Sequence, residues 1–155
     1  MTGRIESRLA ELGVALPTPA AAVANYLPFV TSGSLVFVSG QLPLVDGKVT
    51  VSGHLGADVS LEDGQSAARQ CAINLLSQAR LAAGGDLDRV KRLVRLGGFV
   101  ASTPDFTDQP KVINGASDLM VAVLGDAGRH SRAAVGVASL PLNAAVEIEA
   151  VFELD

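Results

Sequence analysis

An alternating segment near the C-terminus constrains the fold more than any other part of the chain. Its apolar positions alternate with three glutamates and a valine: Val146, Ile148, Ala150 and Phe152 against Glu147, Glu149, Val151 and Glu153. Because successive side chains of a strand point to opposite faces of a sheet, this pattern predicts a β-strand with one buried face. The other face, with its carboxylates, is expected to meet water, or another subunit with water and ligand between.

Two long helices are predicted to cover the buried face of this sheet. The first begins after Ser60, a good N-cap residue, and ends at Gly84-Gly85. The second runs from about Pro110 to Leu124, since proline is well tolerated in a first helical turn. Further strands are predicted at 29–31, 35–39, 48–52, 89–100 and 133–138. This order of elements predicts an α+β fold, a mixed β-sheet with two main helices packed on one face.

The length of the chain, 155 residues, predicts a single domain spanning 1–155. Near its start, Ile5, Leu9 and Leu12 fall on one stripe before Gly13, so residues 3–13 are predicted to form a short helix. The mixed charges of the first residues do not have the pattern of a signal peptide, and no apolar run is long enough to cross a bilayer. We therefore expect a cytoplasmic protein with no membrane partner.

The net charge of −4 argues against a nucleic-acid partner, because proteins that bind nucleic acids usually carry a basic footprint. One basic run stands out, namely Arg89, Lys91, Arg92 and Arg95. Apolar residues interrupt this run, so it is better interpreted as a strand with one wet face. RNA binding through it stays a minor alternative.

Several chemistries lack their usual motifs in this chain. There is no phosphate-binding loop, no dinucleotide-binding glycine motif and no nucleophile elbow, so no cofactor is expected. The two histidines, His54 and His130, lie far apart in sequence, so a metal site is not expected either. The single cysteine, Cys71, lies in the first long helix among alanines and is interpreted as a small core residue.

Three segments, in a fixed order and spacing, carry a family resemblance. They are Val38-Ser39-Gly40-Gln41-Leu42-Pro43, then Ser131 to Pro141, then Val146-Glu147-Ile148-Glu149-Ala150. Within them Pro141 lies nine residues after Arg132, and Glu147 lies fifteen after it. Together, over about residues 24–153, they resemble the RidA/YjgF family of enamine/imine deaminases, also labelled endoribonuclease L-PSP.

The resemblance implies a chorismate-mutase-like fold and a homotrimer with three sites between subunits. It assigns a substrate carboxylate to Arg132, with Tyr26 and Asn114 as further substrate-binding residues. It assigns catalytic positions to Glu147 and to Ser39, which ends its strand. A planar guanidinium suits the role of Arg132, since it can clamp both oxygens of a carboxylate at once.

The chain departs from the family pattern in three places. Ala134 stands where the family often has a cysteine, so no thiol there can take part in the chemistry. Residues 1–20 extend the usual N-terminus with a helix, and the stretch 41–60 is longer than in short members. These departures indicate a distinct subgroup, in which the substrate could differ.

The favoured function is hydrolysis of a reactive enamine or imine, derived from an amino acid, to a 2-oxo acid and ammonia. In this interpretation Arg132 holds the carboxylate, and Glu147 holds the attacking water and moves protons. The alternative is a non-catalytic protein that binds a small carboxylate metabolite in the same cleft. Each of these residues also has a structural alternative. Arg132 could be an ordinary surface arginine, and Glu147 a solvated carboxylate on a strand edge. Tyr26 could serve only in packing, and Ser39 could cap the end of its strand. His130, next to the arginine strand, is a candidate pH-sensitive neighbour.

Overall fold

The computed structural model describes residues 3–19 and 25–155. Its helices are α1 (Arg4–Glu11), α2 (Leu61–Ala82) and α3 (Gln109–Leu124). Its strands are β1 (Phe29–Ser32), β2 (Leu35–Gln41), β3 (Leu44–Val45), β4 (Lys48–Val49), β5 (Val90–Ala101), β6 (Ser131–Val137) and β7 (Val146–Leu154). In the described residues, no helix is both long and apolar enough to cross a membrane.

The main sheet has five strands in the order β1-β2-β7-β5-β6. Only the β5–β6 pair is parallel, and the other three neighbouring pairs are antiparallel. The mixed sheet predicted from the sequence is therefore confirmed. Strand β7 lies at its centre, between β2 and β5, while β6 forms one edge.

The hydrophobic core lies between the sheet and helices α2 and α3. On β7 the even-numbered positions 146–154 are buried and the odd-numbered ones are more accessible, as the alternating sequence predicts. The middle of α2 is buried on all sides, and Cys71 lies there fully buried, which confirms that it is a core residue. The predicted N-cap is also present, because the Ser60 hydroxyl accepts a hydrogen bond from the Asp63 N–H.

Helices α2 and α3 come into backbone contact at a glycine. A β-carbon on Gly115 would overlap the carbonyl oxygen of Gln65 and lie 2.8 Å from its carbonyl carbon. Only a residue without a side chain permits this spacing. The contact fixes the height at which α3 crosses α2, and α3 carries Asn114 next to the glycine.

Helix α1 packs against α3 and against the short helical turn Leu87–Arg89 that precedes β5. Ile5 and Leu9 are buried, as their stripe predicts, and the helix spans Arg4–Glu11 within the expected 3–13. Its N-terminus is capped from a distance, since the Asp88 carboxylate accepts hydrogen bonds from the backbone N–H groups of Arg4 and Ile5, both at 2.9 Å. A carboxylate there also suits the positive end of the helix dipole.

Some predicted element boundaries are wrong, for local reasons. The strand expected at 48–52 stops at Val49, because the next residue of the partner strand is Pro43. Thr50 donates its N–H and its hydroxyl to the Pro43 carbonyl, but Pro43 has no N–H to return a bond, so the ladder ends there. The two-residue strand β3 was not predicted. Strand β1 extends one residue beyond the predicted 31, and the hairpin turn that follows has Gly33 in the left-handed region at φ 62°. Strand β6 begins two residues before the predicted 133.

The outer face of the sheet, opposite the helices, is covered by no element of the described chain. Apolar side chains lie exposed on this side, among them Val30 (51%), Phe37 (46%) and Val135 (47%). The same face carries Glu147, as well as Glu149, which forms an ion pair with Arg95 at 3.5 Å. A face with both large apolar side chains and carboxylates matches the half-polar surface expected from the sequence.

Candidate active site

Arg132 lies on the helix side of the edge strand β6. Its register partner on β5 is the fully buried Leu96, which places both side chains on the face that α3 covers. One guanidinium nitrogen, Nη1, donates to the Asn114 Oδ1 at 2.8 Å and to the Ser117 hydroxyl oxygen at 3.1 Å. Within residues 3–19 and 25–155 the guanidinium forms no ion pair, so Nε and Nη2 remain available to a ligand.

A second layer of polar contacts lies behind the arginine. The Ser117 hydroxyl is 2.9 Å from the His130 Nε2, and the His130 Nδ1 is 2.6 Å from the Gly128 carbonyl oxygen. Sequence reasoning named His130 but missed Ser117. Helical spacing could have found it, since residues three apart share a face of α3 and Asn114 was already assigned there.

The free edge of β6 adds backbone groups beside the guanidinium. The Val137 carbonyl accepts a hydrogen bond from the Ser102 N–H, so the odd-numbered residues of β6 direct their backbone groups towards β5. Backbone groups alternate along a strand, so those of Arg132, Ala134 and Gly136 point away from β5, at the sheet edge. Ala134 itself packs its methyl group against the core and offers only its backbone to a ligand.

Glu147 lies on the outer face, at the start of β7. Its register partner is Phe99, three positions from Leu96 along β5 and hence on the opposite face of the sheet. The carboxylate lies against Gly40, where a β-carbon would be 2.8 Å from Oε1, so the family-like Ser-Gly-Gln motif makes room for this side chain. Burial, and then the charge of Glu149, raise the pKa of the Glu147 carboxyl above its ordinary value.

Ser39 ties the segment before β1 to the end of β2. Its hydroxyl donates to the Leu27 carbonyl at 2.6 Å, and its N–H donates to the Pro28 carbonyl at 2.9 Å. Tyr26, next to Leu27, is 58% exposed. The two hydrogen bonds of Ser39 therefore fix the backbone next to Tyr26.

The predicted site residues form two groups within one chain. Arg132 and Asn114 are brought together on the helix side of β6. Glu147 is on the other face, and β5 lies between its strand and β6, which corresponds to a lateral separation of about 9–10 Å. A small metabolite held by Arg132 therefore does not reach Glu147 of the same chain.

Residues 6–154 match the family described as YjgF/chorismate mutase-like endoribonuclease. Protein TCP17 of Trypanosoma cruzi is 52% identical, over 99% of this chain and 96% of TCP17. The crystal structure of Atu1372 from Agrobacterium tumefaciens, a protein of unknown function, has a TM-score of 0.92 at 54% identity, covering 97% of this chain and 92% of that one. A crystal structure from Shewanella oneidensis, of a protein described as an endoribonuclease, has a TM-score of 0.93 at 38% identity. The match covers 98% of this chain and 100% of that one.

Proposed function

Because this chain belongs to the YjgF/chorismate mutase-like endoribonuclease family, with the α+β fold of that family, we propose that it hydrolyses enamines or imines of amino acids to 2-oxo acids and ammonia. The observation that carries the proposal is the state of Arg132. Its guanidinium is held by Asn114 and Ser117, has no carboxylate partner in the described chain, and is carried by the edge strand β6. Such a group is prepared for an external carboxylate.

The free side of the guanidinium suits a substrate carboxylate. With Nη1 occupied, the Nε–H and one Nη2–H remain as two parallel donors, the arrangement in which arginine binds both oxygens of a carboxylate. The outward N–H of Ala134 lies on the same strand edge and can add a third donor. Binding there fixes the substrate by its acid group and leaves the adjacent carbon–nitrogen unit free to react.

The chemistry proposed for the carbon–nitrogen group of the substrate needs acid–base groups and water. Protonation of the enamine at carbon gives the imine, water adds to the carbon of the C=N bond, and the C–N bond then breaks to release ammonia and the 2-oxo acid. Glu147 is the proposed proton carrier. Its raised pKa increases the protonated fraction near neutral pH, which suits a group that must both donate and accept. Ser39 contributes by holding the segment that carries Tyr26.

The proposed site requires subunits in contact, since Arg132 and Glu147 lie on opposite faces of one sheet. We propose a homotrimer in which the outer face of one subunit, with Glu147, meets the β6 edge of the next. The exposed Val30, Phe37 and Val135 give that face the apolar area an interface needs. Sedimentation should give three times the mass of the 15.8 kDa chain, and a stable monomer would exclude the shared site.

The decisive experiment compares Arg132→Ala and Arg132→Lys with the unmodified protein. Ammonia release from an enzymatically generated 2-imino acid and calorimetric binding of pyruvate are measured for each. Arg132→Ala should lose about 2–5 kcal/mol of binding free energy, because the ligand carboxylate loses its charged partner. Arg132→Lys should recover only part, since an ammonium does not reproduce two parallel bonds.

The same measurements separate the alternative, a non-catalytic protein that binds small carboxylates. Ala134, in place of a frequent family cysteine, is the observation that favours this alternative. The non-catalytic alternative is correct if pyruvate binds through Arg132 while ammonia release never exceeds the rate measured without protein. If neither binding nor turnover changes in Arg132→Ala, the proposed site itself is wrong.

A further inference from the structure

We propose that Ser117 and His130 are positioning residues that fix the orientation of the Arg132 guanidinium. The inference rests on the carboxylate-binding role proposed for Arg132 and extends it to two residues that contact no substrate. Three hydrogen bonds in series connect the guanidinium, through Ser117 and His130, to the backbone of Gly128.

When the His130 imidazole is neutral, the chemistry of each group sets the direction of every bond in this series. A carbonyl oxygen only accepts, so the His130 Nδ1, at 2.6 Å from the Gly128 carbonyl, carries a proton. In a neutral imidazole the Nε2 is then an acceptor, and the Ser117 hydroxyl donates to it at 2.9 Å. Arginine only donates, so the Ser117 oxygen accepts from the Arg132 Nη1 at 3.1 Å. Each member of the series has one role.

The far end of the series is rigid. Gly128 is buried in the turn after α3, and a β-carbon there would overlap the Met120 carbonyl oxygen and lie 2.7 Å from its carbonyl carbon. The Gly128 backbone is therefore packed directly on the backbone of α3. His130, bound to that carbonyl, has a fixed ring, and Ser117 receives a fixed acceptor.

The consequence for Arg132 concerns rotation. With Asn114 as its one partner, the guanidinium could pivot about a single bond from Nη1. The second bond, to Ser117, fixes its plane, so that the Nε and Nη2 donors keep one direction. Ser117 and His130 are only partly buried, so these two side chains do not serve to fill the core. Orientation of the arginine is the role that remains for them.

The test uses two histidine variants that separate the two ring nitrogens. His130→Asn keeps a donor for the Gly128 carbonyl but removes the acceptor for Ser117. His130→Gln places an amide oxygen near the former Nε2 and keeps that acceptor. Ser117→Ala removes the central hydroxyl, and Ser117→Thr restores it. Pyruvate binding by calorimetry and the KM and kcat of ammonia release are measured for all four, together with Arg132→Ala.

Ser117→Ala and His130→Asn should weaken pyruvate binding and raise KM by roughly three- to tenfold, the value of about one hydrogen bond, with little change in kcat. Ser117→Thr should recover most of this loss, and His130→Gln, which keeps the acceptor but lacks the bond to Gly128, should recover part of it. A role only in stability would lower the unfolding temperature without this pattern of loss and recovery.

Two outcomes would overturn the inference, and they differ from failure of the proposed function. If Ser117→Ala and His130→Asn bind pyruvate like the unmodified protein while Arg132→Ala does not, Arg132 needs no such positioning. If Ser117→Thr binds pyruvate as weakly as Ser117→Ala, the hydroxyl of Ser117 is not what matters. If Arg132→Ala itself binds normally, the carboxylate site is wrong. Should Ser117→Ala fail to fold, the two histidine variants decide alone.

Discussion

The glycine contact between α2 and α3 can be tested by the smallest possible side chain. In Gly115→Ala the added methyl carbon would overlap the Gln65 carbonyl oxygen and lie 2.8 Å from the carbonyl carbon and 3.0 Å from the Cα. These atoms belong to the backbone of a helix, so no side chain can rotate away. The helices must separate, by roughly an ångström if the contact is to reach ordinary van der Waals distance.

The expected cost follows from two opposing effects. Overpacking of this kind costs about 1–3 kcal/mol, and the backbone overlap places Gly115→Ala at the upper end of that range. Replacing glycine by alanine inside a helix stabilises the folded state by about 1 kcal/mol, because alanine has the higher helix propensity. The net loss in the free energy of unfolding should be about 1–2 kcal/mol, equivalent to a fall of roughly 3–7 °C in Tm. Pyruvate binding should weaken too, because α3 carries Asn114 and Ser117.

The assay is urea unfolding at one fixed protein concentration, with Gly64→Ala as a matched control. Gly64 also lies in a helix at the core, but its added methyl would meet the side-chain methyl groups of Leu55 and Val112 at 3.1–3.2 Å, which can shift. Gly64→Ala should therefore change stability by less than Gly115→Ala. An equal or greater stability for Gly115→Ala than for the unmodified protein would refute the argument that the backbones touch at Gly115.

Three further predictions follow from buried or hydrogen-bonded side chains. Cys71→Ala should keep full turnover, and Cys71→Ser should also turn over while losing about 1 kcal/mol of stability through its buried hydroxyl; loss of turnover in a folded variant would place the thiol in the chemistry. Glu147→Gln should abolish most ammonia release yet be at least as stable as the parent at pH 7. Because folding raises the pKa of Glu147, its ionisation lowers the free energy of unfolding once the pH is above the unfolded-state pKa of about 4.3. The stability advantage of Glu147→Gln should therefore vanish in urea titrations below that pH. The hydrogen bonds from Ile5 and Arg4 lower the pKa of Asp88, so that its contribution to stability is present above about pH 3.9 and is lost as the pH falls further. Asp88→Ala should speed amide hydrogen exchange in α1 at pH 7, and unchanged exchange would show that the cap is not needed.

The fold was largely predictable because its strongest signals are local. The alternation on β7 and the capping of α2 are set by periodicity and by single residues such as Ser60, and both are confirmed. The boundary errors have local causes that periodicity does not register, such as Pro43, which has no N–H to continue the ladder opposite Thr50. One stabilising contact was not predictable for a different reason, because the N-terminus of α1 is capped by Asp88, far along the chain. No local pattern contains those two bonds.

The family resemblance named candidate site residues but not their arrangement. The resemblance named Arg132 and Asn114, and they lie in contact. It did not reveal that Glu147 lies on the opposite face, because that depends on the register between β5 and its two neighbours. Ser117 was missed because serine on a partly exposed helix face is common, and only the arginine next to it gives it significance.

The separation of Arg132 and Glu147 on two faces has a genetic consequence for the proposed trimer. A subunit damaged at Arg132 still presents an intact Glu147 to one neighbour, and a subunit damaged at Glu147 still presents an intact arginine to the other. A mixed ring of the two therefore regains one of its sites, built from the undamaged half of each. Two inactivating alleles should complement each other in one cell when they affect different faces, and should fail to do so when they affect the same face.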